Sequence, residues 1–491
     1  MAERQMVKTY LDEIPWGTEE DLANELNKTR KERKELPEGC HETVLYKDIM
    51  RIAWPSLVEQ LLTSLVSMAD MIMVGSMING DDAISAVSLA NQPKFIFISL
   101  MIALNIGVTA AVARDRGAGM HDKANDTLRQ GLIMSLGVCI FASVAGYLAS
   151  VPLVAFMANG GLSAEIEHMS VQYLRIQMIG FTTMGIGATF TAALRGTGNS
   201  KLPMMYNMTA NVVNVCLNYL LINGHFGFPA LGVVGASLAT VIGQATALVI
   251  AVRAVASGKY YFHLTPAYFF RNFNVEWDVI SRIVKVGIPS LLEQAAMRVG
   301  IILFSRQVAS LGNPGYATHQ ICMNIQSLSF MLGMAISVSS TTLVGQSLGK
   351  RRPDMAEHYS RRCSRLGIAF GCLLGLFFGV FGKYVVMLYS DTPAVIQAAI
   401  PVMIILGILQ PVQTPQFILA GSLRGAGATK ATALITMICV LILRPLLGHM
   451  MINVLALGLM GAWYAIFIDQ VVRTGLVVYV YSLGKWKTVK V

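Results

Sequence analysis

The sequence Leu-Arg-Gly-Thr-Gly-Asn-Ser-Lys at positions 194–201 returns as Leu-Arg-Gly-Ala-Gly-Ala-Thr-Lys at positions 423–430. Two further short sequences return as well. Pro-Ser-Leu-Val-Glu-Gln at 55–60 is echoed by Pro-Ser-Leu-Leu-Glu-Gln at 289–294, and Leu-Gly-x-x-Gly-Ala at 231–236 is found again at 457–462. The three echoes keep their order, which predicts two related halves. Duplicated hydrophobic chains are typical of secondary transporters, whose substrate site lies between the halves.

The composition predicts a polytopic all-α membrane protein. The chain has 491 residues, of which 54% are hydrophobic and 13% charged, with a mean hydropathy of +0.56. Soluble domains carry about 25% charged residues, and a helix of about 20 apolar residues crosses the hydrocarbon layer. The apolar runs predict twelve transmembrane helices, at roughly 49–75, 84–113, 127–150, 167–191, 202–223, 231–256, 281–311, 316–345, 360–382, 393–420, 430–452 and 458–482.

The basic residues indicate topology. The formal net charge is +10. Most of the Lys and Arg residues lie in the N-terminal arm, the even-numbered loops, the C-terminal tail and the adjoining helix ends, whereas the odd-numbered loops hold only Lys383. The positive-inside rule therefore predicts a multi-pass protein of the plasma or inner membrane with both termini cytoplasmic. Nucleic-acid binding is not expected, since this asymmetry accounts for the charge.

The span pattern divides the chain into five segments. A cytoplasmic polar arm over 1–48 contains a short charged helix, predicted from a cap at Thr18 to about Glu35. An N-terminal lobe over 49–256 holds spans one to six, and a C-terminal lobe over 281–482 holds spans seven to twelve. A cytoplasmic linker over 257–280 joins the lobes, and a cytoplasmic tail over 483–491 ends the chain.

Several functional classes are excluded by missing motifs. The sequence contains no GxxxxGK[ST], HExxH or GxSxG, and no span carries a ladder of arginines. The seven cysteines show no metal-ligand spacing. We therefore expect neither an enzyme nor a cofactor, and no metal beyond a sodium ion at Asp70. Three functional classes are left: a transporter driven by an ion gradient, a flippase and a channel.

The duplicated halves, the Arg-Gly-x-Gly-x-x-Lys sequence after spans four and ten, and Ala-Asp-Met-Ile-Met-Val-Gly at 69–75 together resemble the multidrug and toxic compound extrusion (MATE) family. The resemblance covers about 45–482. It implies a V-shaped pair of six-helix lobes related by a pseudo-twofold axis along the membrane normal. It also implies export of organic cations or other amphiphiles in exchange for protons or sodium ions. The wider superfamily includes lipid-linked sugar flippases, so the fold leaves the substrate open.

The resemblance points to Asp70 as the cation-coupling residue, because it matches the aspartate of the family's N-lobe ion site. Thr240 matches a threonine near that site. Some family branches have a second aspartate where this chain has Asn218. The alternative role for Asp70 is a buried ion pair with Arg306 or Lys94.

A stripe of asparagines on span five supplies candidate neighbours for Asp70. The spacings of four, three and four residues place the stripe on one helix face, which must look into the lobe or a wet cavity rather than into lipid. The stripe either lines the ion site or joins helices, and both readings stay open. Its members are Asn207, Asn211, Asn214 and Asn218.

Glu59 and Glu293 are mates in the two halves and are predicted to face a central substrate cleft. Each lies four residues after a proline, near the middle of its span. Gln92 and Asn324 are a second pair of mates assigned to the same cleft, together with Arg298. The alternative for the two glutamates is local pairing, in which Glu293 could reach Arg298.

The C-terminal half offers a different set of charges. Asp469 and Arg473 are four residues apart on span twelve and are predicted to pair structurally, with Arg444 joining them. Other family branches carry acids on spans seven and ten, but span ten offers only Gln410, Gln413 and Gln416, so a C-lobe ion site in that style is not expected. Lys94 and Arg175 either neutralise buried acids or indicate an anionic substrate.

The sequence therefore predicts a secondary active antiporter. It would export amphiphilic, cationic organic compounds by alternating access, with protons or sodium ions as the coupling ion. The expected partners are a small-molecule substrate and membrane lipid, and the chain is predicted to be a monomer. The main alternative is a flippase or exporter of a lipid-linked or anionic metabolite, and a channel is the rival from another class.

Overall fold

A helix coincides with each predicted span. A computed structural model describes residues 8–18, 41–77, 80–158, 163–263 and 274–489. Within these ranges the long helices are α1 Glu42–Gly75, α2 Gly80–Gly117, α3 His121–Leu148, α4 Ala164–Gly196, α5 Lys201–Leu221, α6 Gly232–Ala256, α7 Trp277–Ala309, α8 Asn313–Gly349, α9 Pro353–Met387, α10 Pro393–Gly425, α11 Thr429–Val454 and α12 Gly458–Ser482.

Length and apolarity alone identify ten of these described helices as able to cross a membrane. The other two, α4 and α5, are less apolar because they carry polar side chains along their length. Asn214 and Asn218 of α5 and Gln177 of α4 are all buried, and each has a hydrogen-bond partner inside the protein. Such residues are tolerated in membrane helices when they face the helical bundle.

The helices form two compact units with the same internal packing. One unit contains Pro55–Val284, and the other contains Lys8–Trp54 with Lys285–Val491. In the first unit α4 packs against α2, α3 and α6, and α5 packs against α6. In the second unit α10 packs in the same way against α8, α9 and α12, and α11 packs against α12. The sequence repeat is thus a repeat of structure.

The first helix of each half is divided between the two units. Helix α1 belongs to the second unit as far as Trp54, and α7 belongs to the first unit as far as Val284. The sequence predicts all of span one in the N-terminal lobe, so this exchange is a new feature of the structure. The division in α1 lies directly before Pro55, and the division in α7 lies five residues before Pro289. These two prolines are equivalent positions of the repeat.

An ion pair of the same kind holds each exchanged end. Arg362 Nη2 of α9 lies 2.9 Å from Glu42 Oε1 at the start of α1. Arg129 Nη2 of α3 contacts Glu276 Oε1, immediately before α7. Glu42 and Glu276 are 234 residues apart, the same offset that relates Pro55 to Pro289. Both arginines are buried, so each carboxylate neutralises a charge that has little access to water.

Part of the N-terminal arm docks on the second unit. A short helix, Tyr10–Glu13, places Leu11 in the core with 3% of its surface exposed. Asp48 Oδ2 accepts hydrogen bonds from the Tyr10 backbone N–H and from Tyr359 Oη, each at 2.8 Å. These contacts favour a docking role for residues 8–17. The charged helix predicted to run to Glu35 lies outside the described residues.

The structure explains the Arg-Gly-x-Gly sequence that occurs twice. The first glycine allows close helix packing, because a Cβ on Gly425 would lie 2.1 Å from the Thr341 backbone oxygen, and one on Gly196 would lie 2.9 Å from that of Thr109. The second glycine makes the turn in the left-handed region, with φ of 83° at Gly198 and 81° at Gly427.

Candidate functional site

A ladder of three hydrogen bonds joins α1 to the asparagine stripe of α5. The partners are always 148 residues apart, so the two helices run parallel and in register over about three turns. The stripe therefore joins two helices and also surrounds a carboxylate, and its place in an ion site stays a prediction. The bonds are Asn207 Nδ2 to Glu59 Oε1 at 2.7 Å, Asn211 Nδ2 to Thr63 Oγ1 at 3.3 Å, and Asn218 Nδ2 to Asp70 Oδ1 at 2.6 Å.

Asp70 is held by amide groups. Besides Asn218, Asn214 donates to both Asp70 oxygens, at 3.0 and 3.3 Å, in the amide orientation that also lets its oxygen accept from the Thr240 backbone N–H at 3.2 Å. The structure thus brings Asp70, Asn214, Asn218 and Thr240 together. The binding of a coupling ion there stays a prediction. Asn211 forms the middle bond of the ladder and contacts Thr63 rather than Asp70.

The charge on Asp70 has no basic partner among the described residues of its unit. Lys94 had been considered as one, but its Nζ donates to Gln177 Oε1 at 2.7 Å. Arg306 belongs to the other unit. Beside Asp70, Asn218 Oδ1 is buried and accepts no hydrogen bond from the described residues. A carboxylate with a spare amide oxygen beside it can take up a proton or coordinate a hard cation through oxygen.

Glu59 and Glu293 form equivalent ion pairs in their own units. Glu59 Oε2 lies 2.8 Å from Arg195 Nη2, and Glu293 Oε1 lies 2.5 Å from Arg424 Nη2. Each arginine comes from the repeated Arg-Gly-x-Gly sequence at the end of α4 or α10. Local pairing with Arg298 is the alternative that the sequence offers for Glu293, whereas the structure pairs Glu293 with Arg424.

Arg195 and Arg424 were not among the site residues predicted from the sequence. The sequence did contain an indication of this pairing. Both the glutamates and the arginines lie in short sequences that occur twice in the chain. Glu59 and Glu293 are 7% and 3% exposed. Their carboxylates are therefore largely enclosed and neutralised within each unit, which is a structural role, and their proposed contact with substrate stays a prediction.

The remaining cleft candidates lie on the surfaces of their units. The side chains of Gln92, Arg298 and Asn324 are exposed. Exposed side chains of this kind are compatible with a place in a cleft. Their assignment to the substrate path stays a prediction.

Lys94 and Arg175 of the first unit have neutral partners. Besides the bond from Lys94 to Gln177, Arg175 Nε donates to Ser150 Oγ at 3.0 Å, and its guanidinium lies 5.1 Å from the centre of the Tyr147 ring. Neither side chain forms an ion pair within the described part of the unit. Their charges thus do not serve to neutralise Asp70 or Glu59.

In the second unit Asp469 is buried between two arginines. Arg444 donates to Asp469 Oδ2 from Nε at 3.1 Å and from Nη2 at 2.5 Å. Arg473 Nη2 is 3.9 Å from the same oxygen. The predicted structural pairing is therefore strongest with Arg444. The three glutamines of α10 are buried, and Gln413 Oε1 accepts from Gln326 at 3.1 Å.

The long apolar helices, the duplicated six-helix pattern and the buried carboxylates define a multi-pass membrane transport protein. The MatE family model matches residues 55–220 and 289–450, one match in each half. The chain belongs to the MATE family of multidrug efflux transporters, whose members are transporters rather than enzymes.

Relatives match over nearly the whole chain. The probable multidrug resistance protein NorM of Thermotoga maritima is 29% identical over 460 residues, covering 93% of this chain and 95% of the relative. The uncharacterized transporter YisQ of Bacillus subtilis is 24% identical, covering 88% and 92%. The multidrug resistance protein MdtK of Yersinia enterocolitica is 29% identical, covering 79% and 84%.

Solved structures share the fold. A MOP superfamily transporter from Pyrococcus furiosus, described as having a binding pocket of reverse polarity, aligns with a TM-score of 0.82 at 21% identity, covering 90% of this chain and 96% of the other. A MATE structure described as being in the bent conformation aligns with a TM-score of 0.82 at 20% identity, covering 91% and 97%. A structure described as the straight conformation gives the same score at 22% identity.

Proposed function

We propose that this protein is a cation-coupled antiporter that exports amphiphilic organic compounds from the cell. The names of its relatives, probable multidrug resistance protein and multidrug resistance protein, support the substrate class. The proposal that export is coupled to an ion rests on the environment of Asp70. Its carboxylate is held by two amides, has a spare amide oxygen beside it, and contacts no basic side chain among the described residues of its unit.

The coupling step follows from the hydrogen-bond capacity of Asp70. An ionised carboxylate only accepts hydrogen bonds, and here it accepts from Asn214 and Asn218. A proton converts one of its oxygens into a donor, and a sodium ion occupies the same lone pairs. Either event competes with the bonds that fix α1 to α5 near Asp70.

Helix α1 is the element that would respond. In its most apolar stretch 11% of the residues are buried inside the protein, against 50% in α2. Polar bonds to α5 therefore hold α1 more than close packing does. We propose that loading of Asp70 repositions the outer half of α1, and that this movement accompanies release of the exported compound. Two MATE structures of the same fold are described as bent and straight conformations, which supports a movement of this kind.

The membrane orientation follows from the charge pattern. The N-terminal arm, the even-numbered loops and the C-terminal tail are basic, so we propose that both termini are cytoplasmic. Asp70 follows the long apolar part of α1 and would then lie towards the outer surface. An external proton or sodium ion could reach it from the side to which the compound is released.

The test is gradient-driven ethidium efflux in everted vesicles, under a proton gradient alone and a sodium gradient alone. Wild type should export ethidium under one gradient, which names the ion. Asp70→Asn should lose at least about 90% of that efflux, because the amide cannot bind either ion as a carboxylate does. Glu165→Gln is the control, since it removes an exposed carboxylate from the same unit and should leave efflux unchanged. Full efflux by Asp70→Asn would refute the coupling role.

A second candidate is export of an anionic or lipid-linked compound. The observation that favours it is the neutral environment of Lys94 and Arg175, whose charges are free to attract an anion in the first unit. Vesicles that fail to move ethidium but move an anionic dye, with loss of that transport in Lys94→Gln, would favour this function over the first.

A further inference from the structure

Arg473 of α12 is a buried guanidinium without a hydrogen-bond partner among the described residues. Only 4% of its surface is exposed, and its Nε is buried and unpaired. The nearest carboxylate oxygen, Asp469 Oδ2, is 3.9 Å from Nη2, beyond hydrogen-bonding distance. A guanidinium carries five N–H donors and is always charged, so burying it without acceptors is unfavourable.

The surrounding charges leave an excess of one positive charge. Asp469 is already bound by Arg444. Glu293 is close enough to Arg473 to interact electrostatically, but it is paired with Arg424. This cluster of described residues in the second unit thus contains three guanidinium groups and two carboxylates. Asp469 Oδ1 accepts no hydrogen bond there, yet one carboxylate cannot neutralise two arginines.

Arg473 lies next to the contact between α10 and α12. Thr474 Oγ1 donates to the Val412 backbone oxygen at 3.1 Å, so the two helices touch at this level. The next residue of α10, Gln413, has a buried Nε2 with no acceptor among the described residues. Buried acceptors without a donor occur on the same helices, at Gln416 Oε1 and Gln470 Oε1, so the amides alone do not select a ligand. The unbalanced charge of Arg473 does, because a cation would add to the excess charge.

The backbone beside the cluster is unusual. Arg444 lies between two π-helical stretches of α11, Met437–Leu443 and Met450–Val454. Pro445 follows it and lacks the N–H group that an α-helix would use at that position. Short π-helical stretches are rare and occur frequently at functional sites. Arg444 is thus presented to Asp469 from a locally widened helix.

We propose that the second unit binds one small monovalent anion, a halide or the carboxylate of a small acid, at Arg473. The single excess charge matches a monovalent anion. Arg444, Asp469 and Arg473 are each less than 10% exposed, so the position is enclosed and suits a small ligand. The proposal concerns the other half of the chain from Asp70 and does not depend on which compound is exported.

The test measures anion-dependent stability of the purified full-length protein in detergent. Thermal unfolding is followed in sodium gluconate while chloride, bromide or formate is titrated at constant ionic strength. Wild type should show a saturable rise in the unfolding midpoint with at least one of these anions. A response to bromide and chloride alone assigns the site to halides, and a response to formate extends it to carboxylates. The absence of any anion response in wild type would overturn the proposal.

Two variants separate an anion site from a merely structural role. Arg473→Gln should abolish the response, and Asp469→Asn should raise the apparent anion affinity by about tenfold, because it removes a competing negative charge. Loss of a purely structural residue would lower stability without raising anion affinity. Arg361→Gln removes a basic residue that pairs with Glu357 in the same unit, and it should keep the wild-type response.

Crystals of the wild type grown in bromide provide a readout that needs no variant to fold. An anomalous difference peak next to the Arg473 guanidinium would support the proposal. A response of Arg473→Gln equal to that of wild type, or bromide bound only elsewhere, would overturn it.

Discussion

Glu59 and Arg195 form a largely enclosed ion pair, with Oε2 and Nη2 2.8 Å apart, between two sequences that each occur twice in the chain. The second copies meet in the same way, as Glu293 and Arg424. The repeat therefore preserves an interaction as well as two sequences. In each unit this ion pair fixes the middle of the first helix to the end of the fourth, and it does so without a contribution from the other unit.

Removing one partner of such a pair should be costly. Glu293→Gln leaves the Arg424 guanidinium, 14% exposed at its side chain, without its carboxylate. We expect a loss of about 3 kcal/mol in the free energy of unfolding, because an uncompensated buried charge is strongly destabilising. Chemical unfolding of the purified protein in detergent measures it.

The double variant Glu293→Leu with Arg424→Met provides the control for that measurement. Replacing both charges by apolar groups of similar size should recover much of the lost stability. Equal destabilisation by the single and double variants would show that shape, rather than the ion pair, decides the effect.

Asn218→Asp should strengthen ion binding at Asp70. The new carboxylate would stand 2.6 Å from Asp70 Oδ1 in place of the Asn218 amide, and two like charges favour uptake of a proton or a cation. We expect the external ion concentration for half-maximal ethidium efflux to fall about tenfold, which corresponds to about 1.4 kcal/mol. Efflux measured across a series of ion concentrations tests this, with Asn211→Asp as the control for a carboxylate on the same helix face that does not contact Asp70.

Glu42→Gln and Glu276→Gln should have similar effects, because the two residues are mates that bind equivalent buried arginines. Their side chains are 49% and 40% exposed, so solvent screens each pair. We expect about 1 kcal/mol of destabilisation from each. Thermal unfolding of the two single variants and the double variant measures it. A large effect from one and none from the other would contradict the equivalence of the two exchanged ends.

The sequence was sufficient to predict the helices, because long apolar runs and charge asymmetry are both local signals. It also predicted that Asp70 lies with Asn214, Asn218 and Thr240. That success came from the family resemblance for Asp70 and Thr240, and from helical spacing for the asparagines.

Two features could not be read from the sequence. The exchange of the first helix ends depends on which tertiary contacts form around Glu42 and Glu276, and no local pattern specifies that. The pairing of Glu59 with Arg195 joins residues 136 positions apart, so it emerges only when the helices pack. Glu293 has Arg298 nearby in sequence, but its ion pair with Arg424, 131 positions away, likewise forms only when the helices pack.

The two halves should differ in how strictly they require the first glycine of the Arg-Gly-x-Gly sequence. A Cβ on Gly425 would lie 2.1 Å from the Thr341 backbone oxygen, a distance that only a backbone shift can relieve, whereas one on Gly196 would lie 2.9 Å from the Thr109 oxygen. Overpacking of a tight contact typically costs about 1 to 3 kcal/mol. We expect the destabilisation by Gly425→Ala to lie at the upper end of that range and that by Gly196→Ala at the lower end.

Gly379→Ala is the matched control, since nothing lies within 4 Å of its added Cβ and alanine favours the helix. Thermal unfolding in detergent tests the order, and equal stability of Gly425→Ala and Gly379→Ala would show that α8 and α10 pack less closely than the structure indicates.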